Sequence, residues 1–223
     1  MQTEYFVNLT KQDWPELNQR VLKYCIGLAD KAVADRLADY PPTRHNDTVK
    51  GVLRWDRLDF YLEWAVQSGL FTGITSRWID YQGADILELR GKFTSLTACH
   101  VLNRDEKPKE SEKGYRRNNR ARNQKNQELF KEYEAPESDG DLFHIVLRHG
   151  GRNDSFAYLG IYLEDSDYPI LSENIMLLAS LEMALDAELV SAPSVTLKDT
   201  AITSESDRSQ EQPVEAADDD SKS

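Results

Sequence analysis

The chain predicts an α+β fold, and three features of the sequence point to it. Apolar residues recur at helical spacing through the first third, and strand-like alternation with turn signals takes over near residue 70. A second alternating pair then follows a long polar stretch. Two hairpins imply an antiparallel sheet of four to five strands, with N-terminal helices before it and a C-terminal covering helix after it. The length of 223 residues favours one domain, 1–190, carrying a polar basic insertion at 102–140 and followed by a disordered acidic tail at 191–223.

Thr10–Ala38 predicts the first long helix. Thr10 or Asp13 suits its cap, Pro15 its first turn and Glu16 the positive end of the helix dipole. Leu17, Val21, Tyr24, Leu28 and Ala32 recur three and four apart as its buried stripe, and Tyr40-Pro41-Pro42 ends it. The second helix runs from Asn46-Asp47 to about Ser68. Trp55, Leu58, Tyr61, Leu62 and Ala65 form its inward face, while Asp56, Asp59, Glu63 and Gln67 read as a solvated row, and Gly69 closes it.

Leu70–Tyr81 alternates and reads as a strand. The centre of the chain is Gly83–Val101, two strands (Ala84–Leu89 and Phe93–Val101) folded back at Arg90-Gly91-Lys92. Alternation puts Asp85, Leu87 and Leu89 on one face, and Ile86, Glu88 and Arg90 on the other. Leu102–Gly140 lacks apolar periodicity and reads as a long loop. Leu142–Arg148 and Phe156–Leu163 form the second hairpin. Ser172 caps a last helix, Glu173–Val190, that is apolar nearly all round.

Charge is distributed unevenly. A net charge of −12 argues against a general duplex-binding surface. Arg116–Lys125 nevertheless holds five bases and no acid. Arg116, Arg117, Arg120, Arg122 and Lys125 interleaved with Asn and Gln suit phosphate oxygens and base edges, and Tyr115 suits stacking on an unpaired base. The plainer reading is a solvated loop whose arginines pair with the chain's own acids. A rival functional class is a non-catalytic protein-interaction or dimerisation module, using the apolar last helix with Trp55, Trp64 and Trp78.

Two catalytic arrangements come into view. Asp80 followed by Glu88-Leu89-Arg90 approaches the carboxylate pattern of a Mg²⁺-dependent nuclease. It departs from that pattern because Arg90 stands where a lysine is expected, and a guanidinium stays protonated. His100 and His149 meet if both hairpins share a sheet edge, with Arg90 and Lys92 near the same edge. Such a pair suits acid–base work near neutral pH. His144 reads as a satisfied sheet residue. Cys and His spacing assigns no metal ligands, and Mg²⁺ enters only with the nuclease-like reading. Cys25 and Cys99 read as buried reduced thiols. No leader pattern and no apolar run of membrane-spanning length occurs, so the expected setting is cytoplasmic with no membrane contact.

Overall fold

Helix α1 (Gln2–Asp13) stops at Trp14-Pro15, and α2 (Glu16–Ala38) starts on the other side of that break. Pro15 has no N–H to give the preceding turn, so the single helix expected from Thr10 is two. The computed structural model describes residues 2–38, 45–81, 84–105, 114–129, 142–150, 155–164, 169–171 and 174–181. The acidic tail and most of the expected C-terminal helix lie outside these residues. Within them, Ile175–Leu177 is a single 3₁₀ turn, and Leu178 is extended.

The break between α1 and α2 grips the sheet. Both Asp13 carboxylate oxygens face the hairpin turn at 91–93, accepting from Lys92 N, Phe93 N, Thr94 N and Thr94 Oγ1 at 2.8–3.1 Å. Trp14 is fully buried, and its Nε1–H donates to Thr94 Oγ1 at 2.9 Å. Gly91 is required here because a Cβ on it would overlap the Asp13 carboxyl. Asn18, also fully buried, donates to Asp13 O and Thr72 O and accepts from Thr72 N.

In α2 the buried stripe is Val21, Leu22, Cys25, Ile26, Ala29 and Val33. It is rotated from the expected one, and Leu17 is left 49% exposed. Both phases satisfy the same spacing, so periodicity alone does not choose between them. Helix α3 (His45–Gln67) packs on α2 and ends as expected at Gly69. There Leu70 N reaches Ala65 O and Gly69 N reaches Val66 O around a φ of 69°.

The sheet runs in the order β1 (Thr75–Tyr81), β2 (Ala84–Arg90), β3 (Thr94–Val101), β4 (Phe143–Gly150), β5 (Phe156–Ile161) and the two-residue β6 (Ile170–Leu171). It is mixed rather than antiparallel. Strands β3 and β4 are parallel over eight residue pairs, Thr94↔Phe143 to Val101↔Gly150. Parallel neighbours need a crossover, and the stretch expected as a loop supplies it as α4 (Tyr115–Leu129). The two hairpins thus sit side by side with a parallel seam between them.

One face of the sheet carries Leu87, Leu89, Leu96, Ile145, Leu147, Leu159 and Ile161, all buried. It belongs to the helix α2–α3 side, where α3 lies on β3. The α4 face is polar at the start of β3. Toward the strand ends it becomes an apolar cluster of Cys99, Val101, Val146, Phe156, Tyr158 and Tyr162. No helix among the described residues is long and apolar enough to cross a membrane.

Candidate functional site

Helix α4 docks by asparagines. Asn119, Asn123 and Asn126, spaced four and three apart, are its buried residues among the described side chains, each at most 5% exposed. Asn123 Nδ2 donates to His144 O and Tyr162 O, and its Oδ1 accepts from His144 N at 2.6 Å. Asn126 Nδ2 reaches Leu142 O. Two of the amides expected to read bases, Asn119 and Asn123, are therefore turned into the fold. Arg117, Asn118 and Lys125 are left facing solvent, with Arg116, Arg120 and Arg122 half-buried.

Two of the half-buried arginines, Arg120 and Arg122, donate to neutral groups. Arg120 Nε donates to Leu163 O, with its guanidinium over the Tyr162 ring at 5.9 Å. Arg122 Nη2 donates to Ser95 Oγ at 3.1 Å. Beneath it lies Glu88, 1% exposed, paired with Arg77 Nε at 2.8 Å and Arg90 Nε at 3.5 Å. Tyr115 Oη donates to the other Glu88 oxygen at 3.2 Å. Three guanidiniums thus surround one carboxylate among the described residues. Burial lowers the Arg122 pKa, Tyr115 and Glu88 oppose the shift, and the like charges of Arg77 and Arg90 add to it. His144 is pushed well below its ordinary value by burial and by Arg122 and Arg116. Both its ring nitrogens meet hydroxyls, Ser95 Oγ and Thr97 Oγ1, at 3.2 Å, as a satisfied sheet residue should.

The Tyr115 ring, expected to stack on a base, is half-buried and does not stand apart from the fold. The Tyr115 ring packs edge-on against Tyr81 and His144, centroids 5.6 and 5.5 Å away, and burial pushes its hydroxyl pKa up. Nor are the nuclease-like carboxylates brought together. Asp80 pairs across the hairpin with Asp85, and Glu88 with Arg77, so alternation sends Asp80 and Glu88 to opposite faces. Glu88 is taken up by Arg77, Arg90 and Tyr115. No group of three or more His, Cys, Asp or Glu side chains suited to a metal occurs among the described residues.

His100 and His149 do meet, but in the middle of the sheet rather than at an edge. They are paired in the β3–β4 register, with ring centroids 5.3 Å apart at 68°. Arg54 Nη1 lies 3.2 Å from His100 Nε2. A guanidinium only donates, so a hydrogen bond between them has His100 Nε2 as its acceptor. Arg54 in turn pairs with Asp30 at 3.1 Å. Burial, with His100 and Arg54, pulls the His149 pKa down to about 3. His149 therefore stays neutral across the physiological range. Arg90 and Lys92 lie at the opposite end of β3, away from this pair.

A cleft of about 450 Å³ opens beside His100. Strands β2 and β3 are paired only at Leu89↔Leu96 and Arg90↔Ser95, so the ladder ends early and the strands part. Five consecutive residues beyond that fork, Ala98–Leu102, line the cleft. Successive residues of a strand face opposite ways, so the cleft follows the strand's edge. Gly51, Val52 and Trp55 of α3 form one wall and Arg116 of α4 lines another part. Sequence singles out neither Arg54 nor Arg77 as a site residue, and it offers Trp55 only for a partner surface or the apolar face of α3. Strand parity and the hairpin register put Arg77 beside Glu88, whereas the fork that exposes Trp55 leaves no mark in the sequence. Protein-family models, curated proteins and solved structures all give no match to this chain, so the functional reading comes from its own geometry.

Proposed function

We propose that the exposed side of α4, with the adjoining edge of β1 and β2, binds nucleic-acid phosphates without cleaving them. The observation that supports this reading best is a concentration of guanidinium groups on one face of a chain of net charge −12: Arg77, Arg90, Arg116 and Arg122. Arg116 and Arg117 also occupy the first turn of α4, which has no acid. Cations at the positive end of a helix repel its dipole, and a phosphate there would relieve that. Engagement of Glu88 by Arg77, Arg90 and Tyr115 argues for contact rather than metal-assisted hydrolysis. A reducing cytoplasmic setting fits the two free buried thiols of Cys25 and Cys99.

The test is a salt titration with labelled single-stranded and duplex DNA and RNA. Changing Arg116, Arg117 and Lys125 together to Gln should weaken binding and reduce the log–log salt slope for single strands by about 2. Equal slopes would remove the reading. Mg²⁺-dependent strand cleavage lost in Glu88→Gln would replace it with the nuclease. A tight dimer indifferent to oligonucleotide would favour the interaction-module class, for which exposed Leu17 and Leu177 are the natural contacts.

A further inference from the structure

We propose that the cleft at the β2–β3 fork is a subsite for one unpaired nucleobase, with Arg116 taking the phosphate beside it. This deepens the nucleic-acid reading and rests on it. The cleft's volume of about 450 Å³ lies within the ordinary range for small-molecule sites. Its chemistry is that of a flat apolar ligand carrying one anionic group. Val52, Trp55 and Leu102, which line it, are 59%, 40% and 50% exposed, so three large apolar side chains face solvent around one opening. The cation in the lining is Arg116.

An aromatic wall suits a base because every base offers a π face, and stacking is tolerant of sequence. Tyr115, the aromatic neighbour of the arginines in sequence, is packed between Tyr81 and His144. Trp55 is the aromatic that shares a cavity with Arg116. Its indole is steadied by a hydrogen bond to Asp59 one turn along α3. Arg116 also belongs to the basic helix, so a strand whose phosphates follow α4 reaches the cleft without a detour. A base enters such a cleft only when unpaired, so the site selects single strands over duplex.

Fluorescence anisotropy with one short single-stranded oligonucleotide and its duplex, at low salt, tests this in the full chain. Trp55→Ala should weaken single-strand binding about tenfold and leave duplex binding unchanged. Trp55→Phe should retain most of the affinity. Val52→Glu, which places a negative charge at the exposed mouth without touching the aromatic wall, should weaken single-strand binding as well. Leu17→Ala, an exposed apolar change on α2 away from the cleft lining, should match wild type. Salt-dependent binding that persists unchanged in both Trp55→Ala and Val52→Glu would overturn the base subsite while leaving the phosphate reading intact. Failure of the wild-type chain to bind any oligonucleotide would overturn both.

Discussion

Asp59 sits in the row of α3 that spacing assigns to solvent, yet it is 5% exposed. Burial raises its pKa to about 7, Asp56 and Glu63 add to the rise, and the hydrogen bond from Trp55 opposes it. The unfolded chain titrates this group near the ordinary 3.8. Between those two values the folded state holds more protons than the unfolded one, so stability declines as pH rises through the window. The contribution is complete below about 4 and gone above about 7. Asp59→Asn keeps an acceptor for the indole and removes the charge. Its urea midpoint should therefore match wild type near the acid end and exceed it above neutrality. Parallel midpoints for the two chains at every pH would show that the carboxyl does not titrate this way. Cys25 is a contrasting case: burial pushes its thiol pKa up as well, but it lies fully buried, and the thiol is simply inert.

At the scale of elements, the α1–α2 break and the β2–β3 turn act as one unit, and Asp13 is the joint. It accepts from three backbone N–H groups and one hydroxyl, of which the Thr94 N–H and hydroxyl are buried and the other two part-buried. Asp13→Ala should therefore cost on the order of 3 kcal/mol in denaturant unfolding, well above a typical surface substitution. Gly91→Ala should show a loss of the same sign through overlap with that carboxyl. A change in stability within a few tenths of a kcal/mol for Asp13→Ala would mean the turn closes without it. This joint was only half legible. Asp13 reads as a cap and Gly91 as a turn glycine, but the two are 78 positions apart and nothing in either pattern links them. Strand positions and the faces of β2 follow from period-two alternation, which is local. The parallel seam between β3 and β4 does not, because it depends on where α4 crosses. Helix α4 itself reads as a loop because apolar residues define a helical stripe, and its buried stripe is asparagine. The cleft was invisible for a similar reason: it exists because a ladder stops after two pairs, which is a property of two strands together.

For the whole molecule, the proposed phosphate contact raises the question of how an acidic chain would approach a polyanion. Eight acids and three bases after residue 195 give 3 − 8 = −5, which leaves −7 of the total −12 on the rest. At low salt the screening length is about 30 Å, comparable to the size of a small domain, so those charges oppose any phosphate near α4. Near physiological salt it falls to about 8 Å, and only groups beside the bound strand still count. Deleting Ser191–Ser223 should therefore tighten oligonucleotide binding at low salt, and the gain should shrink as salt is raised. A chain of full length with the tail acids changed to Asn and Gln should behave like the deletion, because charge and not bulk is responsible. If the neutralised chain keeps the weaker wild-type affinity while the deletion gains, the tail acts by occupying space. If neither change alters affinity at low salt, the approach of a polyanion does not sense the tail, and the local field of α4 decides binding alone.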